Sequence, residues 1–174
     1  MNIYFVLNIP TPICDRVMEL RRAQKDNFFA SLPVEITIAG SNGVGVLDPA
    51  QDLAEAYRVI DRIAADTAPI ENSFGPVIRF PGTDIFVLTF ENEAPLRQLH
   101  QRVAKSGIKF LQSPHLFQPH CTICSRLPAN QAQERELLAR RVPGRFTLEA
   151  ISVCRLDRPP VTLLHTAPLA RKAA

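Results

Sequence analysis

No run of apolar residues in this chain of 174 approaches the length of a membrane span. The N-terminal residues lack the basic region and the small-residue cleavage site of a secretory signal peptide, and they have the apolar, aromatic character of a first strand. The formal net charge of +3 is compatible with an anionic substrate but is far from that of a protein that binds duplex DNA. We therefore expect a cytoplasmic protein with neither a membrane nor duplex DNA as partner, and the oligomeric state stays open.

Glycine and cysteine are both scarce. Seven glycines against fifteen prolines indicate many defined turns and argue against a flexible linker. Cys121 and Cys124 are separated by two residues, but no second pair stands at the spacing of zinc ligands. A redox pair of this spacing would begin a helix, whereas this one lies in a strand pattern. We therefore expect reduced cysteines, no metal site and no cofactor.

The segments that remain have the composition of an ordinary globule, with 46% hydrophobic and 21% charged residues. Strand-like and helix-like patterns alternate, and a hairpin pattern surrounds Pro81-Gly82-Thr83, which predicts an α+β fold with mostly antiparallel pairing. The predicted strands are 2–9, 34–39, 70–80, 84–90, 117–125, 145–156 and 160–167, and the predicted helices are 12–28, 48–66, 95–106 and 130–141.

The stretch from Phe117 to Arg126 carries the clearest chemical signal. Because side chains alternate along a strand, His120 and Thr122 share one face, while Cys121 and Ile123 point into a core. An imidazole and a hydroxyl placed in this way can act on one phosphoryl group, since the imidazole moves a proton and the hydroxyl donates to a phosphate oxygen. A solvated strand face is the alternative interpretation of the same pattern.

A second stretch, 32–41, repeats this pattern about half a chain earlier. Glu35 occupies the position of His120, and Thr37 occupies the position of Thr122. The repetition of one motif at half-chain spacing indicates two similar lobes, each of which offers one strand to a shared cleft.

With these two motifs the chain resembles the two-histidine phosphoesterases, which include 2'-5' RNA ligases and RNA 2',3'-cyclic phosphodiesterases. The resemblance spans nearly the whole chain, but only Pro119-His120-Cys121-Thr122, with Arg126 close behind, is specific. It implies a single bilobal domain over 1–174, with two antiparallel-rich sheets and flanking helices around a central cleft. It also implies metal-independent chemistry, in which one histidine activates the attacking group, the other protonates the departing oxygen, and two hydroxyls hold the non-bridging oxygens.

Carried over by position, the resemblance makes Thr37, His120 and Thr122 catalytic and leaves Glu35 in the place of the first histidine. Glu35 can act as a general base, act as a neutral acid with a raised pKa, or serve no chemistry. The expected activity is that of a cyclic phosphodiesterase or 2'-5' RNA ligase on an RNA end or a small cyclic nucleotide. One alternative is a weakened or inactive module that binds such a nucleotide or RNA end. A third, less favoured alternative is an interaction protein with a vestigial cleft.

Other residues are candidates for holding a substrate. Arg126 follows the motif strand and can contact a phosphate or ribose, and His115 lies in the loop before that strand. Phe117, Phe110 and Tyr4 are candidates for stacking a base, with a core position as the alternative for each.

The remaining histidines and charges are expected to be structural or solvated. We expect His100 on the surface and His165 in a structural role. The glycine-rich segment 40–45 is expected in a turn, with a contact to phosphate as the alternative. Most basic residues of the helix predicted at 12–28 are expected on its solvated face: Arg16, Arg21, Arg22 and Lys25.

Overall fold

The structure, a computed structural model, describes residues 2–125 and 130–170. The strands are β1 (Ile3–Asn8), β2 (Glu35–Ala39), β3 (Ile70–Arg79), β4 (Phe86–Phe90), β5 (Cys121–Cys124), β6 (Arg145–Leu148), β7 (Ala150–Arg155) and β8 (Thr162–Pro168). The helices are α1 (Ile13–Ala23), α2 (Asn27–Ala30), α3 (Leu53–Ala65), α4 (Ala94–Ala104) and α5 (Gln131–Ala139). Within the described ranges, none of the helices has the length and apolar character that crossing a membrane requires.

The strands form two four-stranded sheets, in the orders β2-β1-β7-β8 and β5-β4-β3-β6. Every pairing within them is antiparallel, so the predicted α+β class and the antiparallel pairing are confirmed. The two strands that carry the motifs, β2 and β5, are each the edge strand of a different sheet, and they contact each other. The sheets therefore meet along the two motif strands.

The chain changes sheets at Glu149, which the sequence prediction of one strand over 145–156 missed. β6 pairs with β3, placing Leu148 opposite Ile70, whereas β7 pairs with β1. The residues that pack into the main hydrophobic core are Phe146 and Leu148 in β6 and Ile151 and Val153 in β7, which is a change from even to odd numbers. Because side chains alternate along a strand, this phase change is the local sign of the switch.

The third helix begins later than predicted. The sequence predicts Asp48 as its N-cap and Pro49 as its first residue, but the Oδ1 of Asp48 accepts a hydrogen bond from Ala50 N at 2.8 Å within a turn. Asp52 is the N-cap of α3, and its Oδ1 accepts from Glu55 N at 2.7 Å. The helix therefore starts at Leu53 and not at Pro49.

The helix predicted over 12–28 is two helices. α1 ends at Ala23, and Lys25 adopts a left-handed backbone with a φ of 57°. Asp26 then caps α2 by accepting a hydrogen bond from Phe29 N at 3.2 Å. This break turns the chain back toward β2 and closes one side of the site described next.

Candidate active site

A small cavity of about 50 Å³ lies between β2 and the β5 segment. Glu35 and Thr37 line it from β2, and on the opposite side it is lined by Thr122 of β5 and by His120, which directly precedes that strand. Two motifs half a chain apart are therefore brought to one place. The other lining residues are Arg21, Phe29, Leu32 and Pro33.

A larger outer cleft of about 540 Å³ adjoins the small cavity, since His120 and Thr122 line both. This volume lies within the range of about 300–1,000 Å³ that is usual for small-molecule sites. The cleft has an apolar wall made of Phe29, Phe80, Pro81, Ile85 and Leu116. Its polar lining residues are Ser41, Asn42, Thr83, His115, Gln118 and Ser125. The outer cleft can therefore hold an apolar or aromatic group next to the small cavity.

His120 has a defined orientation. Its Nδ1 lies 2.7 Å from the carbonyl oxygen of Gln118, which can only accept, so Nδ1 carries the hydrogen and Nε2 keeps the lone pair of the neutral ring. Burial lowers the pKa of His120, against the effect of that hydrogen bond. The ring of Phe80 contacts the imidazole edge-on, with 5.1 Å between centroids. At neutral pH His120 is therefore a proton acceptor held by its neighbours.

The fixed ring of His120 also shows where the strand prediction was too long. β5 begins at Cys121, so 117–120 lie outside it. The Gln118 carbonyl bonds the His120 ring and accepts from Asn42 Nδ2 at 3.1 Å. These side-chain contacts stand in place of the strand that the sequence pattern predicts over 117–120.

Glu35 is the opposite case. Burial raises the pKa of Glu35 to about 7, although a side-chain hydrogen bond with Tyr4 and the positive charge of Arg21 both act to lower it. Its Oε2 is buried and has no hydrogen-bond partner among the residues that the structure describes. Burial, followed by the charges of Glu35 and Cys154, raises the pKa of Tyr4, so the phenol keeps its proton and donates to the carboxyl. Near neutral pH a large fraction of Glu35 is a neutral acid that can give up a proton.

The turn after β2 is shaped around Thr37. A Cβ atom on Gly40 would lie 2.6 Å from Thr37 Cγ2 and 3.3 Å from Tyr4 Cβ, so only glycine fits there without a shift. The close approach holds the Thr37 side chain at the cavity. Sequence reasoning treated 40–45 as a simple turn and missed this role.

Arg21 is the largest disagreement with the sequence prediction. It was expected on the solvated face of its helix with its basic neighbours, but it is 2% exposed and lines the small cavity. The sequence does carry a signal for the burial of Arg21, which is its spacing. Ile13, Val17 and Arg21 follow one another at intervals of four residues and form the buried stripe of α1. Its guanidinium donates hydrogen bonds to backbone carbonyl oxygens on both sides of the cavity.

The candidate substrate residues occupy different environments. His115 lines the outer cleft. Phe117 is not among its lining residues, because its ring stacks on His100 at 3.8 Å between centroids. Phe110 contacts Phe5 edge-on at 5.6 Å and packs against the core. Tyr4 is buried with its hydroxyl directed to Glu35, so neither Phe110 nor Tyr4 is available to stack a base. Arg126 lies outside the described residues.

The other two histidines are both held by contacts. His100, which the sequence predicts on the surface, is half-buried, because its Nδ1 is 2.8 Å from the carbonyl oxygen of Ile38, and burial lowers its pKa. His165 has a packed position, since its Nε2 is 2.7 Å from Asp61 Oδ1 and its ring stacks on Tyr57. His100 therefore helps to attach α4 to β2 beside the cleft.

Within residues 2–125 and 130–170, no three His, Cys, Asp or Glu side chains come together as metal ligands. Cys121 and Cys124 are buried and form no disulfide. Burial raises the pKa of each to about 11, so both remain thiols at neutral pH. Neither cysteine is poised as a nucleophile.

The comparisons with known proteins agree with this geometry. A model of the 2'-5' RNA ligase superfamily matches residues 9–160. TT0787 of Thermus thermophilus is 18% identical, with a TM-score of 0.66 over 99% of this chain and all of that one (100%). E. coli LigT complexed with 3'-AMP is 16% identical, with a TM-score of 0.63 over 98% of both chains. No curated protein matches the sequence. At these identities the structural neighbours show a shared fold.

Proposed function

The chain belongs to the 2'-5' RNA ligase superfamily, and from this premise we propose that it acts on a phosphodiester of an RNA end or a small cyclic nucleotide without a metal ion. The observation that carries the proposal is that Glu35, Thr37, His120 and Thr122 line a single small cavity. The cavity holds the phosphoryl group, and the two sheets act as the lobes of one domain around it. LigT, a structural neighbour, has been solved with 3'-AMP, which supports a nucleotide as the ligand.

The two titratable groups have complementary roles in the proposed reaction. Nε2 of neutral His120 takes the proton from an attacking water or hydroxyl as its oxygen forms a bond to phosphorus. Neutral Glu35 gives its proton to the oxygen that departs as the old bond to phosphorus breaks. The hydroxyls of Thr37 and Thr122 donate to the non-bridging oxygens. Solvent then resets both groups, so the protons balance over one turnover.

The outer cleft takes the nucleoside part of the substrate. Phe80 and Leu116 lie on its apolar wall, and Leu116 is 93% exposed. A flat base that covers an exposed apolar side chain removes apolar surface from water, which favours binding. An aromatic ring such as that of Phe80 supplies the stacking surface. His115 and Ser125 lie among the polar groups that can contact the sugar or a second phosphate.

A panel of 2',3'-cyclic nucleotides and 2'-5'-linked dinucleotides, assayed with EDTA present, tests the proposal. We expect turnover of at least one of them that EDTA leaves unchanged. His120→Ala should lower the rate by about 100-fold or more, because a general base contributes about 100- to 10,000-fold. Turnover that a chelator abolishes and one divalent ion restores would contradict the metal-independent mechanism.

A module that binds a nucleotide without turning it over is the second candidate function. The observation in its favour is Glu35 itself, because the carboxylate form places a negative charge in the cavity where a phosphodiester has to lie. Calorimetry with the same panel separates the two functions. Saturable binding without any product formation over the whole pH range supports the module, whereas product formation supports the enzyme.

A further inference from the structure

The most deeply buried charge in the site belongs to Arg21, in the last turn of α1. A guanidinium stays protonated at every pH at which a protein is folded, and a buried charge is tolerated only where many hydrogen bonds satisfy it. Among the described residues, no carboxylate forms an ion pair with Arg21. The positive charge is therefore held by groups that do not neutralise it.

Those groups come from both sides of the cavity. Nη1 donates to the carbonyl oxygens of Leu32 and Pro33, each at 2.9 Å, in the segment that leads into β2. Nε donates to the carbonyl oxygen of Thr122 in β5 at 3.0 Å. Nη2 lies 4.0 Å from Cys121 Sγ in the same strand. One rigid planar group therefore connects the segments that carry the two motifs.

Arg21 also gives the cavity its charge. Of the described residues that line the small cavity, Arg21 is the one with a permanent positive charge. Burial favours the neutral form of His120, and Glu35 is either neutral or negative. A phosphodiester is an anion, so its binding needs a compensating charge that neither titratable group supplies at neutral pH.

We propose that Arg21 is the positioning residue of this cleft: its guanidinium fixes the distance between the two motif strands and provides the positive charge beneath the phosphate. This inference rests on the proposed function. The inference goes beyond the proposed function because it assigns the positive charge and the spacing of the motif strands to a residue of α1, which lies outside both motifs.

Three variants separate the charge from the spacing. Arg21→Met keeps most of the volume without the charge. Arg21→Lys keeps the charge on one nitrogen that cannot reach all four carbonyl oxygens to which the guanidinium donates, the fourth being that of Phe29. Arg22→Met is the matched control, because Arg22 is the next residue of the same helix and is exposed. The readouts are the affinity for inorganic phosphate, the titration of the Glu35 carboxyl carbon by NMR, and kcat with KM on the best substrate of the panel. Thermal unfolding shows which variants fold.

The effect of the Arg21 charge should be measurable without any catalytic turnover. In Arg21→Met we expect phosphate affinity to fall by about 10-fold or more and the Glu35 titration to move to higher pH. In Arg21→Lys both should stay close to wild type, while kcat falls by about 10- to 100-fold because misplaced groups react slowly. Arg22→Met should change none of these quantities.

Two results would overturn the inference. The first is that Glu35 titrates in folded Arg21→Met at the same pH as in the wild type. The second is that Arg21→Lys has the kcat of the wild type. The second result can be obtained even if Arg21→Met does not fold. If the wild-type protein turns over nothing and binds no nucleotide, the proposed function fails. The Glu35 titration in the two variants still decides whether Arg21 controls the charge of the cavity.

Discussion

Glu35 lies in β2, an edge strand of one sheet, and His120 directly precedes β5, an edge strand of the other, and both side chains line one cavity. Burial moves their pKa values in opposite directions, upward for the carboxyl and downward for the imidazole, because it disfavours the charged form of each. The pair is thereby set as a proton donor and a proton acceptor at neutral pH. In the doubly charged state the roles would be exchanged, because a carboxylate accepts a proton and an imidazolium donates one.

The pH dependence of the rate follows from this pair. The activity needs His120 neutral and Glu35 protonated, so kcat/KM should rise as pH passes the lowered pKa of His120 and fall above about 7 as Glu35 ionises. The profile of kcat/KM on a cyclic nucleotide should be bell-shaped, with its maximum on the acid side of neutrality. Glu35→Gln should be slower by about 100-fold or more and should lack the decline at high pH. A rate that keeps increasing through pH 8 in the wild type would assign the proton donor to another group.

The buried Glu35 carboxyl should also make the free energy of unfolding depend on pH. The folded pKa of Glu35 lies above the ordinary value of 4.5, so its contribution to the free energy of unfolding is fully present below about 4.5 and is lost as pH rises through about 7. Glu35→Gln removes this loss. Chemical unfolding should find the two proteins similar near pH 4.5 and the variant more stable by about 3 kcal/mol at pH 8. Equal differences at both pH values would mean that Glu35 titrates normally.

The motif residues could be predicted from the sequence because strand alternation is a local property. It placed Glu35 with Thr37 and His120 with Thr122, and the half-chain repeat indicated that both pairs face one cleft, as the structure has them. Arg21 could not be placed in this way. A basic residue on a helix is normally solvated, and its burial depends on carbonyl groups of Leu32, Pro33 and Thr122 that only the tertiary fold brings to it.

The limits of the fold prediction have the same origin. Apolar residues on both sides of Glu149 predict one long strand. The phase change between them does not by itself show that the pairing passes from β3 to β1, which depends on the two sheets being formed. The outer cleft was missed for a similar reason. Phe80 and Leu116 lie at the end of β3 and in a loop, where no periodic pattern distinguishes a cleft wall from an ordinary apolar residue.

Tyr4 should set the acidity of Glu35. Its hydrogen bond lowers the pKa of the carboxyl, so Tyr4→Phe should raise that pKa and move the high-pH decline of kcat/KM upward. The loss of one buried hydrogen bond should also cost about 1 kcal/mol of unfolding free energy. Tyr57→Phe is the matched control, because the only other tyrosine of the chain stacks on His165 outside both cavities. A high-pH limb that does not move in Tyr4→Phe would show that the phenol does not act on Glu35.

The contact between Gly40 and Thr37 gives a test that depends on sterics alone. A Cβ at residue 40 would meet Thr37 Cγ2 at 2.6 Å, so Gly40→Ala should destabilise the protein by about 1–3 kcal/mol and displace the Thr37 hydroxyl from the cavity. Thr37→Ser removes Cγ2 and keeps the hydroxyl, so it is the matched partner in a double-mutant cycle. We expect Gly40→Ala to weaken phosphate binding in the wild-type background and to cost clearly less, in stability and in affinity, in the Thr37→Ser background. Equal costs in the two backgrounds would mean that the glycine serves the Tyr4 contact or the turn, and that Thr37 is held at the cavity by other means.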